Sequence, residues 1–337
     1  MDVSDEAYSA LKASLLNKSG KTPLHERFRA LFTLKSLKND RAIEIISEGF
    51  KDNSALLKHE LAYCLGQIKS ERALPVLQSV LRNEEEDPMV RHEAAEAMGA
   101  ISAIASIPVL REFLGDPERT VRETCEIALA KIQWDRSEEG LRHHAQEEAS
   151  ESELQAYTSI DPAPPSSGLL SGKPKPTGVS PDDVKALRTA LLDKQLPLFE
   201  RYRAMFGLRN VGTAEAVDAL ADGLSDDSAL FKHEIAFVFG QLLSTHSVPA
   251  LLKVLQDSSE PEMVRHEAAE ALGGIATPEV LPYLKEWMSR PDAPQVVRES
   301  CQIAVDMWEY ENSDQFQYAN SLQTLTSKPS ASQAVMT

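Results

Sequence analysis

The chain has 337 residues, of which 42% are hydrophobic and 26% charged, and its formal net charge at pH 7 is −17. This balance is typical of a globular protein and excludes a disordered chain. No run of 18 apolar residues is present that would predict a membrane span. The acidic charge also argues against nucleic acid as a partner, because its phosphates would be repelled.

The first ten residues, MDVSDEAYSA, contain neither the basic region nor the apolar region of a secretory signal. The three cysteines, Cys64, Cys125 and Cys301, make no disulfide framework. These features fit a reducing compartment. We therefore expect a cytoplasmic protein, with the nucleus left open as a second location.

In chain order, apolar residues at helical spacing form short segments that pair and repeat roughly every 31 to 33 residues, the period range of α-solenoids. Proline, aspartate, serine and glycine separate the segments. The first half predicts four pairs of an outer and an inner helix, at 5–16 with 23–37, 40–51 with 54–69, 72–83 with 88–103, and 106–115 with 117–133.

The second half repeats this pattern, and RFRALFTLKSL at 27–37 returns as RYRAMFGLRNV at 201–211. Its predicted pairs are 181–193 with 197–211, 214–225 with 228–243, 247–257 with 261–275, and 278–289 with 294–310. The sequence therefore predicts an all-α fold. We expect an α-solenoid of eight helical hairpins in two four-repeat halves, 1–134 and 181–312, related by internal duplication.

Between the halves, residues 135–180 combine a charge run with a stretch rich in proline, serine and glycine. This composition predicts a flexible linker. The polar residues 313–337 are predicted to form a disordered tail.

Four glycines lie at matched positions in the predicted inner helices: Gly66, Gly99, Gly240 and Gly273. Glycine inside a helix costs about 1 kcal/mol relative to alanine. We therefore expect these residues to permit close approach of neighbouring helices.

Four basic-His-Glu triplets stand out: Lys58-His59-Glu60, Arg91-His92-Glu93, Lys232-His233-Glu234 and Arg265-His266-Glu267. The two triplets of each half are 33 residues apart, and each triplet of the first half returns 174 residues later. The aligned positions of the outer repeats hold other residues: Phe28-Arg29, Glu123-Thr124, Tyr202-Arg203 and Glu299-Ser300. Packing of a helix pair therefore does not require His-Glu at this position.

Histidine and glutamate are ligands for iron, manganese and zinc. Neighbouring inner helices lie about 8–10 Å apart, so side chains from both can converge on one ion. Each half then offers two imidazoles and up to two carboxylates. Two histidines and one carboxylate form the ligand set of non-haem Fe(II) oxygenases, and two halves can bring two ions together. The triplets thus predict one metal site built twice.

The triplets fit two other interpretations less well. A zinc protease requires a second histidine four residues after the first, but those positions hold Tyr63, Glu96, Phe237 and Glu270. A single His-Glu near a helix start is more often a solvated pair. Four in register, absent from the flanking repeats, favour metal ligands.

The motifs KHELAYCLGQ, MVRHEAAEAMGAI, KHEIAFVFGQ and MVRHEAAEALGGI resemble those of the deoxyhypusine hydroxylase family, which are HEAT-repeat di-iron enzymes. The resemblance covers 1–134 and 181–312. It implies eight HEAT-like hairpins that bind two Fe(II) ions per chain and use O2 as co-substrate with an external reductant. The implied partner is the deoxyhypusine form of translation initiation factor 5A.

Carried over motif by motif, the resemblance assigns His59, His92 and Glu93 to one iron. It assigns His233, His266 and Glu267 to the other. Glu60 and Glu234 are expected beside the irons in a catalytic role, where they take the positively charged amine of the substrate. Whether they also ligate iron is left open.

Met89 and Met263, three residues before the second histidine of each half, line the substrate cleft or belong to the core. The alternative function is a metal-free adaptor, since helical solenoids commonly bind a protein partner on the concave face. Bound iron would distinguish the two. We also expect a monomer.

Overall fold

The structure is a computed structural model that describes residues 3–149, 159–166 and 181–313. Within these ranges it contains seventeen α-helices and no β-strand, which confirms the predicted all-α class. The helices of the first half are α1 (Asp5–Leu15), α2 (Leu24–Leu37), α3 (Asp40–Glu48), α4 (Ala55–Ile68), α5 (Leu74–Arg82), α6 (Pro88–Ile101), α7 (Ile107–Glu112) and α8 (Arg119–Trp134).

Helix α9 (Glu138–Ala149) follows the first half. The helices of the second half are α10 (Pro181–Leu192), α11 (Leu198–Val211), α12 (Ala214–Asp222), α13 (Ala229–Leu242), α14 (Val248–Gln256), α15 (Glu262–Ile275), α16 (Leu281–Ser289) and α17 (Gln295–Glu311). The inner helices are α2, α4, α6 and α8 in the first half and α11, α13, α15 and α17 in the second. None of the helices in these ranges combines the length and apolar character needed to cross a membrane.

The inner helices that carry the triplets have defined starts. The hydroxyls of Ser54 and Ser228 cap α4 and α13 by accepting the backbone N–H groups of Leu57 and Phe231. Such caps satisfy donors that have no partner inside the helix. The triplets begin one turn after each cap, so the cap fixes where the His-Glu pair faces.

Neighbouring inner helices approach closely at Gly66, Gly99 and Gly273, whereas Gly240 meets an ordinary contact. A Cβ atom added at Gly66 would lie 2.8 Å from the Cα of Ala97 on α6. One added at Gly273 would lie 2.5 Å from the Cα of Ala304 on α17. Both separations are shorter than an ordinary carbon–carbon contact, so the predicted packing role of these two glycines is confirmed. The close approach lets side chains of adjacent helices reach a common point.

A buried arginine joins successive repeats. Arg91 donates to the Leu81 carbonyl at 3.1 Å and to the Asp116 carboxylate of the next repeat at 2.5 Å. Asp116 in turn accepts the backbone N–H of Glu118, which precedes α8. The same kind of pair joins Arg27 to Asp52 and Arg201 to Asp226.

The two halves meet at both ends. Helix α17 packs against α2 and α4, and α8 packs against α11 and α13. The Ser54 hydroxyl donates to Glu299 at 2.7 Å, and the Ser228 hydroxyl donates to Glu123 at 2.6 Å. These two contacts are equivalent under the internal duplication. The halves therefore form a pseudo-two-fold pair whose inner helices surround a shared interior.

Two stretches of the predicted linker belong to the folded structure. One is α9, and the other is residues 159–166, here called the strap. Asp161 of the strap pairs with Arg209 of α11 at 2.7 Å, and Ala163 is fully buried. Composition predicts flexibility throughout, but a buried ion pair and an apolar contact hold this part in place. The predicted linker residues 150–158 and 167–180, and the predicted tail from 314 onward, lie outside the described residues.

Candidate metal centre

The four predicted His-Glu pairs lie on four inner helices that face one another. They are His59 and Glu60 on α4, His92 and Glu93 on α6, His233 and Glu234 on α13, and His266 and Glu267 on α15. None of the eight residues is more than 7% exposed. The structure brings all eight into one buried cluster, so these pairs are not solvated at the surface.

The four imidazoles pack around the pseudo-two-fold axis. The ring centroid of His59 lies 5.5 Å from that of His92, 5.7 Å from His233 and 5.2 Å from His266. The centroids of His233 and His266 are 5.2 Å apart. Histidines from both halves therefore share one small interior volume.

Within each half, the first histidine meets the second glutamate. His59 Nε2 lies 3.3 Å from a Glu93 carboxylate oxygen, and His233 Nε2 lies 3.5 Å from a Glu267 oxygen. The two contacts correspond under the duplication. Each half thus repeats one arrangement of an imidazole against a carboxylate from the neighbouring helix.

The donor set fits a metal ion. Both ring nitrogens of His92, His233 and His266 are buried and have no hydrogen-bond partner among the described residues. Buried polar atoms are normally paired, and a metal ion would satisfy these nitrogens. Ligand atoms of His233, His266 and Glu267 all lie within 4.8 Å of one another, a spacing that could hold an ion.

Burial lowers the pKa of His92, His233 and His266 well below the usual value, and neighbouring imidazoles add to the effect. The neutral imidazole is the form that binds metal. Burial opposes protonation of His59 too, but the carboxylates of Glu93 and Glu60 hold its pKa well above the ordinary value.

Carboxylates crowd the same interior. Burial, together with neighbouring carboxylates, raises the pKa of Glu234, Glu96 and Glu270 well above the ordinary value. The same causes raise the pKa of Glu267 to about 8. Like charges at close range disfavour ionisation, and nearby cations relieve this repulsion. The interior is therefore suited to hold positive charge.

Glu96 and Glu270 are site residues whose role the sequence did not reveal. Each lies one helical turn after the second histidine of its half and lines the central cavity. Ligand atoms of His92, Glu93 and Glu96 lie within 4.8 Å of one another. The signal was present, because both halves have glutamate at this position. At the sequence level these two positions serve only to exclude a zinc protease.

The central cavity has a volume of about 170 Å³. Six glutamates form its acidic wall: Glu60, Glu93, Glu96, Glu234, Glu267 and Glu270. Aromatic rings of Phe32, Tyr63 and Phe237 form an apolar side. Met89 and Met263 lie in the hydrophobic core, which agrees with the core alternative for these residues.

Comparison with known proteins first defines the class. A HEAT-repeat family model matches residues 13–87, 43–130, 80–157 and 217–306, and a PBS lyase HEAT-like repeat matches 200–226. The chain is thus a HEAT-repeat protein whose inner helices enclose a buried cluster of histidines and glutamates, residues that commonly bind metals.

Relatives with the same overall length identify the family. A deoxyhypusine hydroxylase of Lentinula edodes is 68% identical over 324 residues, which cover 96% of this chain and 98% of that protein. The Mus musculus deoxyhypusine hydroxylase is 48% identical, with 97% and 100% covered. The structure of human deoxyhypusine hydroxylase in complex with glycerol matches with a TM-score of 0.78 and 46% identity, over 90% of this chain and 96% of that one.

The chain belongs to the deoxyhypusine hydroxylase family, which confirms the resemblance predicted from the motifs. It is an enzyme, and the hydroxylase function is favoured over that of a metal-free adaptor.

Proposed function

We propose that this chain hydroxylates the deoxyhypusine side chain of translation initiation factor 5A, using O2, an external reductant and two Fe(II) ions per chain. One observation carries the proposal. Four buried imidazoles, most of them without hydrogen-bond partners in the described part of the chain, meet carboxylates in two equivalent sets. This set of histidine and glutamate residues, together with the name deoxyhypusine hydroxylase that the relatives carry, favours a metal-dependent hydroxylase over other functions of the fold.

In this proposal His59, His92 and Glu93 hold one iron. Their counterparts His233, His266 and Glu267 hold the other. Two histidines and one carboxylate leave positions open for O2 and solvent, as in other non-haem Fe(II) sites. The His59–Glu93 and His233–Glu267 contacts support the assignment, because each orients a ligand from one helix against a ligand from the next.

When bound, a pair of ferrous ions supplies reductive activation of O2 for insertion of oxygen into a C–H bond. The protein provides geometry and a shielded pocket. Phe32, Tyr63 and Phe237 form an apolar wall that keeps water from the reacting carbon. Ile160 and Pro162 of the strap close the cavity on another side.

Glu60 and Glu234 are proposed to receive the positively charged amine of the substrate. Both line the cavity, and one carboxylate oxygen of Glu234 is buried without a hydrogen-bond partner among the described residues. An ammonium group donates strong hydrogen bonds to carboxylates in such surroundings. The amine would thereby fix the distance of the target carbon from the irons.

The experiment is reconstitution. Purified protein is loaded anaerobically with Fe(II), and bound iron is counted. O2, a reductant and the deoxyhypusine form of factor 5A are then added. We expect two irons per chain and a product heavier by one oxygen atom by mass spectrometry. Loaded protein that yields no heavier product contradicts the proposed substrate, and protein that takes up no iron contradicts the proposed metal.

A further inference from the structure

By symmetry the candidate metal centre has two equivalent openings to the surface, here called mouths. The duplication relates Glu60 to Glu234 and Glu96 to Glu270. It also relates the seam between α17 and α2 to the seam between α8 and α11, since each joins the last inner helix of one half to the first of the other. A perfectly duplicated protein would offer substrate two identical routes.

The α8–α11 seam is filled. Pro162 of the strap, together with Glu96, Ile127 and Ala128, lines a residual cavity of only about 10 Å³. The backbone N–H of Ser166 donates to the Arg203 carbonyl at 2.9 Å. The strap therefore occupies the mouth beside Glu96 and seals it.

A pair of duplicated glutamines holds the strap across both halves. The backbone N–H of Ile160 donates to Gln67 Oε1 at 2.8 Å, and Gln67 Nε2 donates back to the Ile160 carbonyl at 3.2 Å. Gln241, the counterpart of Gln67, donates to the Ser159 hydroxyl at 2.6 Å. The strap is thus bound to equivalent points on α4 and α13.

The α17–α2 seam is open. A groove of about 360 Å³ lies there, lined by Phe28, Phe32, Met307 and Tyr310, and it reaches Glu60 and Glu270 at its inner end. The counterparts of Phe28 and Phe32 in the second half, Tyr202 and Phe206, are fully buried. Equivalent side chains are therefore covered at one seam and line a groove at the other.

The open groove combines apolar walls with negative charge. Arg29 lines the groove and forms an ion pair with Asp306 at 2.5 Å. The carboxylates of Glu60, Glu270 and Glu311 also line the groove. A long aliphatic chain that ends in a cationic group matches this lining.

We propose that the α17–α2 groove is the route by which the cationic side chain reaches the irons, and that Glu270 joins Glu60 and Glu234 in receiving its ammonium group. The strap closes one of the two routes into the symmetric metal centre, so Glu270 at the open route binds substrate while its counterpart Glu96 does not. This inference rests on the proposed function, since it takes the deoxyhypusine side chain as the occupant.

The first test compares counterparts. Glu270→Gln and Glu96→Gln replace a carboxyl group by an amide at equivalent positions. A charge-assisted hydrogen bond to the ammonium predicts that Glu270→Gln raises KM, and the Kd for a deoxyhypusine peptide, about tenfold or more. Glu96→Gln should change both less than about threefold, and its effect should fall on kcat or iron content. The Kd is measured anaerobically on Fe(II)-loaded protein, where no turnover occurs. Equal effects, or a larger one for Glu96→Gln, overturn the proposal.

The second test blocks the groove without touching the metal centre. Met307 lines the groove and is partly buried, so Met307→Lys places a positive charge in the route. We expect the Kd for the peptide to rise about tenfold through like-charge repulsion, with two irons still bound. Ile104→Lys, at a position that is 64% exposed on a distant turn, adds the same charge and should leave the Kd unchanged.

Unchanged peptide binding by Met307→Lys overturns the groove as the route. Failure of the wild-type protein to hydroxylate factor 5A has a different meaning. It refutes the proposed function, whereas the two binding comparisons still report whether the cationic chain uses this groove.

Discussion

The two halves of the molecule carry the same His-Glu sets, but the arginine that precedes the second histidine has a carboxylate partner in the first half only, among the described residues. In the first half Arg91 is buried against Asp116. In the second its counterpart Arg265 stacks on Trp287 at 4.3 Å, and one of its terminal nitrogens has no hydrogen-bond partner in the described ranges. The comparison shows that the duplication preserved the positions of the His-Glu residues. The contacts that support these residues, and the openings that lead to them, differ between the halves. The proposed function requires two like metal sites, and the proposed substrate route uses only one of the two mouths.

The largest expected effect comes from removing a proposed iron ligand. His59→Ala should lower bound iron from two per chain toward one and abolish turnover, because the remaining donors of that set cannot hold an ion. His233→Ala, its counterpart, should do the same. Iron analysis and product mass spectrometry check both.

His246→Ala is the control, since His246 is half-exposed and pairs with Asp218 at the surface. It should keep two irons and full turnover. Activity retained by His59→Ala would remove the proposed ligand assignment.

The next effect concerns the arginine that differs between the halves. Asp116→Ala leaves the guanidinium of Arg91 buried without its partner, which costs about 3 to 5 kcal/mol. Asp292→Ala removes an exposed carboxylate that pairs with Arg290, so its cost should stay below about 1 kcal/mol. Urea unfolding measures both free energies. Similar losses in the two variants would show that Asp116 does not support Arg91 as described.

Glycine packing provides a smaller effect. A Cβ at Gly273 would lie 2.5 Å from the Cα of Ala304, whereas a Cβ at Gly240 would lie 3.5 Å from that of Ala271. Gly273→Ala should therefore destabilise by about 1 to 3 kcal/mol through overpacking. Gly240→Ala meets an ordinary contact and gains helix propensity, so its stability should change by less than about 1 kcal/mol. Thermal unfolding of the two variants shows whether the helices pack more tightly at Gly273 than at Gly240.

Most of the scaffold and the ligand cluster could be predicted from the sequence. Helical periodicity locates the helices, since it depends on local spacing. The eight residues of the four His-Glu pairs were predictable because a register of 174 residues repeats them, while residues such as Phe28 and Glu123 at aligned positions show that packing does not need them.

The strap could not be predicted, because its contacts are distant in sequence. Ile160 meets Gln67 across 93 residues, and no local pattern encodes such a pair. Its proline and serine content is typical of a flexible linker. Glu96 and Glu270 were visible as a duplicated pair, but their different exposure to the groove depends on where the strap lies.

The smallest expected effect tests the attachment of the strap to the two halves. Gln67 makes two hydrogen bonds to the backbone of Ile160, whereas Gln241 bonds side chains of the strap, at Ser159 and Asp161. Each lost bond is worth about 0.5 to 1.5 kcal/mol. Gln67→Ala should therefore speed hydrogen exchange at the Ile160 amide by about tenfold, while Gln241→Ala leaves that amide protected. Exchange followed by mass spectrometry gives the comparison, and equal rates in the two variants would mean that Gln67 does not anchor the strap. The proposed function assigns the strap to closing the cavity over the irons, so Gln67→Ala should consume more O2 per hydroxylated product than Gln241→Ala.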